Sequence, residues 1–378
     1  MITDTPQLNE HKQNCGSASA ESKPACIMPS ASNFAAGKAE YPPMHTGESN
    51  ASQIFKPRKR MPHIDAIKGI SILIVVIDHC GYTLPPILDH IEVPTFFIIS
   101  GFLFRNTSFS NIIKKKTIHL IIPYAIFSCI FLPYLLWQHI IAKTVPLYTI
   151  FTNIFIYPIN APLWFLKTLF WIFIIYYGLV KLSTYINKEH YKNITVILSL
   201  FFAIIGRYAE SSHPLLLATG LPQAVVAMPI FVAGNYLSEV SIFHNKNIRL
   251  KGILIILCGM IYYFTANSTL QLHIAKYNSN TIIFYICSIS AFVFLAISLS
   301  FIQKFHIIHI IGKNSILILG LHFPIILLLQ SIGIYNRIAL AILTFLLLIF
   351  TVKIIRKCTR FNNIITYNYG NTTTQRAQ

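Results

Sequence analysis

Charge is scarce in this 378-residue chain. Asp, Glu, Lys and Arg make up 11% of it, against about 25% in an ordinary soluble domain, which excludes a solvated globular protein. Acidic residues are the rarer kind, 12 against 30 Lys and Arg, so the formal net charge is +18. Gathered in one patch, that excess would suit nucleic acid. Here the basic residues stand in short clusters between apolar runs, and no nucleic-acid partner is expected. Cysteine pairing is absent too. Cys15, Cys26, Cys80, Cys129, Cys258, Cys287 and Cys358 form no CxxC pair and no zinc-type spacing, so neither a disulfide framework nor a metal is expected. No internal repeat is visible, which removes one mark of an inverted-repeat transporter. Residues 1–55 hold no apolar core run and are therefore no cleaved secretory signal. Rich in Ser, Ala, Asn and Pro, they read as a disordered cytoplasmic tail, and residues 361–378 read as a second one.

What is abundant is apolar. Hydrophobic residues reach 54% and mean hydropathy is +0.59. Repeated apolar runs near 20 residues match the hydrocarbon thickness of a bilayer. The expected fold is all-α, a polytopic membrane helix bundle over residues 56–360, with about ten transmembrane helices and one re-entrant or interfacial segment. The expected spans are 66–83, 93–104, 118–142, 163–182, 194–207, 221–240, 250–266, 281–302, 315–332 and 338–355. Residues 147–159 are apolar but too short for a full crossing. With that segment left out, the clusters Lys56/Arg58/Lys59/Arg60, Arg105/Lys114/Lys115/Lys116, Lys181/Lys188/Lys192, Lys246/Arg249/Lys251, Lys304/Lys313 and Lys353/Arg356/Lys357/Arg360 fall on one side. Asp89, Glu92, Lys143, Arg207, Glu210 and Lys276 fall on the other. Loops rich in Lys and Arg stay inside, so both termini are expected in the cytoplasm.

One stretch organises the rest. From Arg60 to Gly69 the chain is basic and polar; from Ile70 it is almost wholly aliphatic until Asp78-His79. Lys68 and His79 are eleven positions apart, about three helical turns and roughly 20°, so they share a face about 16 Å apart along the axis. Asp65 lies three residues before Lys68 on that face. Ionisable groups inside an apolar span mark candidate functional sites; the bland alternative makes them interfacial anchors. Asp78 lies about 100° around the helix from His79, so a ring-orienting partner is expected from another helix.

These residues carry a resemblance. Lys68, ten intervening residues and His79 resemble the Arg/Lys-x10-His signature of the membrane acyltransferase-3 family, and Ile64 to Ile70 looks like its first-helix entry, particularly in the fucose 4-O-acetylase-like branch. Pro94-Thr-Phe-Phe-Ile-Ile-Ser100-Gly101-Phe-Leu-Phe104, Pro162-Leu-Trp164-Phe165-Leu166 and Gly312-Lys-Asn-Ser315…His322 resemble three further blocks in the expected order. The resemblance implies a bacterial cytoplasmic-membrane O-acyltransferase that moves acetyl from acetyl-CoA to a sugar hydroxyl of a cell-envelope glycan or its lipid-linked precursor. A transporter or flippase for a lipid-linked saccharide is the alternative. Carried onto this chain, His79 becomes the general base and Lys68 a donor-side cation, with Asp65 the third catalytic candidate. Lys68, Arg105, Lys115 and Lys116 become candidates for the donor phosphates. The family often has arginines where this chain has Lys114-Lys-Lys116, and lysine is no bidentate equivalent. Trp164, His322 and Arg207 are the acceptor-side candidates. Trp164 also fits an aromatic belt, and His322 also fits helix packing. Ser100 reads as a packing or pore-lining residue, having no base beside it, and Asn314-Ser315 is expected to cap its helix.

Overall fold

In a bilayer the backbone must bond to itself, and helices do so within one segment. The computed structural model describes residues 61–357 apart from 145, 157, 209–217, 241–246, 269, 275–279 and 302–305. Both expected tails and the cluster at 56–60 lie outside the described residues, as do Glu210, Lys246, Lys276, Lys304 and Arg360. Every described element is helical. In order these are α1 (Pro62–His79), α2 (Pro86–Asp89), α3 (Val93–Phe102), α4 (Phe109–Ile140), α5 (Leu147–Phe151), α6 (Trp164–Ile186), α7 (Tyr191–Tyr208), α8 (Leu221–Leu237), α9 (Ile248–Thr265), α10 (Thr281–Phe301), α11 (His306–Lys313), α12 (Ser315–Ser331) and α13 (Arg337–Lys357).

Each expected span falls on a helix, but the lengths differ from a row of ten full crossings. Among the described residues, five helices are long and apolar enough to cross: α4, the segment Ala161–Ile186 that includes α6, α9, α10 and α13. The pair α11 and α12, bent by 80° at their joint, makes a sixth if it counts as one broken span. α3 has ten residues, about 15 Å of rise, half a bilayer core. α1 carries Asp65, Lys68 and Asp78 within its 18 residues. Residues 147–159 form the five-residue α5 and one π turn, Thr152–Ile156. Ile150 and Ile154 of this segment pack on Leu135 of α4.

Two helix crossings are closed by glycine in both directions. A Cβ on Gly101 of α3 would strike the Phe231 carbonyl of α8, and one on Gly234 of α8 would strike the Ile98 carbonyl of α3. Gly69 of α1 and Gly312 of α11 face the carbonyls of Ile308 and Asp65 in the same reciprocal way. Small residues let membrane helices come this close. Around α3 sit Phe97, Ile98, Phe102, Phe231 and Phe292, all fully buried. The perimeter is the reverse: Ile253, Ile256 and Phe264 on α9 and Ile342, Leu346 and Phe350 on α13 are exposed. An apolar outer surface is what a lipid surrounding requires, since lipid tails are as apolar as these side chains.

Candidate functional site

α1 contributes a stripe to a cavity of about 370 Å³ through Ile72, Val75, Asp78 and His79. Lys68 belongs to the same stripe, one turn below Ile72, and is half-buried outside the lining. The other walls come from the approach to α3 (Asp89, Glu92, Pro94, Phe96), the entry to α6 (Ala161, Pro162, Trp164, Phe165), residues 270–273 and the start of α12 (Ser315, Ile316, Leu319). Asn160, fully buried, donates from Nδ2 to the Gly320 carbonyl at 2.8 Å. That bond holds the α6 entry against α12.

His79 is fixed by its own helix. Its Nδ1 donates to the Val75 carbonyl at 2.8 Å. A carbonyl only accepts, so Nδ1 carries the hydrogen and the neutral ring keeps its lone pair on Nε2. The orienting partner expected from another helix is therefore a carbonyl one turn back. Asp78 Oδ2 stands 3.9 Å from the same Nδ1. What another helix does supply is His322, whose ring meets that of His79 edge-on at 5.0 Å. His322 repeats the device: Nδ1 donates to Ile318 at 2.9 Å, the side chain is fully buried, and Nε2 has no hydrogen-bond partner.

Carboxylates gather at one end of the cavity. Donor atoms of Asp78, His79 and Glu92 lie within 4.8 Å of one another, with Asp89 in the same lining. Burial, then the charges of Asp78 and Asp89, push the Glu92 carboxyl up to about 8. Burial, then Asp78, raises Asp89 to about 6. Burial, then nearby His79, lowers His273; its ring lies 6.5 Å from that of Trp164. Beside the cavity His90 is fully buried. Its Nε2 donates to the Ala266 carbonyl and its Nδ1 meets Ser288 Oγ, both at 3.1 Å, so it ties the α2 turn to α9 and α10.

The structure thus brings His79, Trp164 and, through ring contact, His322 together, and leaves the other named residues elsewhere. Asp65 is buried near the start of α1. Arg105 and Lys115 are exposed beyond the far end of α3, and Lys116 lies over the Phe173 ring, 3.5 Å from its centroid. Arg207 donates to Thr281 Oγ1 at 2.9 Å, joining α7 to α10 outside the cavity. Ser100 donates to the Phe96 carbonyl one turn back, at 2.7 Å, as expected of a packing hydroxyl. Asn314 makes no side-chain cap; at the bent joint its amide turns back and donates to Ile310 at 2.6 Å. Glu92, Asp89 and His273 carried no motif of their own. The available sign for Glu92 was an acid directly before an apolar helix. Lys167 is a cation inside an apolar run, and that pattern alone marks it. Its Nζ donates to the carbonyls of Ile156, at 2.9 Å, and Ala218.

A fully buried His322 against a partly exposed His79, each with Nδ1 tied back to its own helix, gives this multi-pass membrane protein a proton-accepting centre. The acyltransferase-3 family model, described as an acyltransferase domain, matches residues 61–355. The chain belongs to that family and is an acyltransferase. No curated protein and no solved structure matches it.

Proposed function

We propose that this acyltransferase moves acetyl from acetyl-CoA to a sugar hydroxyl of a cell-envelope glycan or its lipid-linked precursor. It works from a bacterial cytoplasmic membrane with both termini inside, as a member of the fucose 4-O-acetylase-like branch. The observation that carries the reading is the His79 tautomer. With Nδ1 held by Val75, Nε2 is the atom able to take a proton. A hydroxyl is a poor nucleophile at neutral pH, and a positioned imidazole contributes typically about 10² to 10⁴ in rate. Nε2 takes the hydroxyl proton as the oxygen attacks the thioester carbonyl. The C–S bond breaks, the new C–O bond remains, and the thiolate leaves with the proton that His79 returns.

Trp164 offers a face for the sugar beside His273, and His322 packs edge-on against the His79 ring. Lys68, at the lower end of the α1 stripe with Asp65 near it in sequence, receives the donor, together with Arg105, Lys115 and Lys116. Arg207 has the weakest claim on the acceptor, since its guanidinium already serves Thr281. The carrier alternative needs no proton acceptor and gains nothing from this geometry. The decisive experiment is mass spectrometry of envelope glycan from a deletion strain complemented with wild type or His79→Ala. Wild type restores an acetyl increment and His79→Ala, expressed at the same level, does not. Normal acetylation by His79→Ala would overturn the assignment.

A further inference from the structure

Asp78, Asp89 and Glu92 line one cavity, and among the described residues no lysine or arginine lines it with them. Three carboxylates around one space repel one another unless protons or a metal cation neutralise them. Two of them stand with His79 in a set whose donor atoms are mutually within 4.8 Å. Nδ1 of His79 is hydrogen-bonded to a backbone carbonyl, which leaves Nε2 as its free donor atom. That is the outer hydrogen bond a metal-bound imidazole usually has. A second, independent feature points the same way. His322 is fully buried, its Nδ1 is tied back to its own helix, and its Nε2 has no partner. The ring it meets is that of His79.

We propose that Asp78, His79 and Glu92, with His322 one ring away, form a binding site for a divalent transition-metal ion. Imidazole nitrogen with carboxylate oxygen is a donor set suited to zinc, at about 2.0 to 2.2 Å per bond. Small side-chain rotations close the present spacing to that range, and the cavity leaves room for water on the open side. An ion on Nε2 of His79 takes up the lone pair that acyl transfer needs. The metal is therefore an inhibitor, displaced before turnover; this consequence rests on the acyl-transfer reading, whereas the site itself does not.

The test uses the purified full-length chain in detergent with zinc chloride as the probe. Zinc per chain is measured after desalting, and the melting temperature with and without zinc. Wild type should retain close to one zinc and melt higher with it. Asp78→Asn, at a half-exposed position that the fold tolerates, and Glu92→Gln should each weaken binding at least tenfold. His306→Ala, an exposed histidine outside the cavity, should bind as wild type does. No zinc on wild type above the buffer level, or undiminished binding by both carboxylate variants, overturns the site. In the glycan assay, zinc should suppress acetylation and a chelator restore it. Full activity at saturating zinc refutes the inhibition while binding stands, and absence of acetyl transfer under every condition refutes the enzymatic reading instead.

Discussion

Glu92 is a side chain whose charge the fold accommodates poorly. Its folded value of about 8 lies above its ordinary 4.5. The folded chain therefore holds a proton that the unfolded chain releases, and stability falls as pH rises from about 4.5 to about 8. Asp89 acts in the same direction up to about 6. His90 acts oppositely. Burial lowers it from 6.5 to about 4, so the stability it lends is lost as pH falls through that range. Between pH 6.5 and 8 Glu92 dominates. With a chelator present, the wild-type melting temperature should drop across that window, and Glu92→Gln should flatten the drop; an equal slope in both would show that the shift lies elsewhere. Ser100 yields a contrasting prediction. Its hydroxyl is spent on Phe96, so Ser100→Ala should acetylate within a few fold of wild type, and a total loss would reopen a nucleophilic role.

At the scale of elements, the two reciprocal glycine crossings govern how closely α3 meets α8 and how closely α1 meets α11. Gly101→Ala or Gly312→Ala forces backbone apart; overpacking of this kind costs about 1 to 3 kcal/mol. Each should lower the melting temperature clearly, whereas Gly252→Ala, with open space around its Cβ, should not. Lys167 fastens two chain segments to α6 through Ile156 and Ala218. Lys167→Met leaves both carbonyls without a donor, about 1 to 3 kcal/mol each when buried, and thermal melting should register it. Helix positions are legible in the sequence, because apolar runs between basic clusters leave little choice of element. Their lengths are less so. Whether ten residues of α3 suffice depends on neighbours that cover its ends, and hydropathy carries no record of neighbours. The same holds for the site. His79, Trp164 and His322 stand in recognisable stretches, but Glu92 and His273 join them only after separate segments converge.

For the whole molecule the testable matter is sidedness. On the proposed sidedness the loop after α6 lies inside, so a reporter fused after Asn187 should read as cytoplasmic; an external signal would invert every later segment. The exposed apolar residues of α9 and α13 assign those faces to lipid. His79 and His322 add a rule of traffic. Each imidazole is moored at one nitrogen to the turn beneath it, so neither can rotate to hand a proton across the bundle. Whatever atom gives a proton to His79 and whatever atom collects it must meet the same nitrogen, Nε2, one after the other.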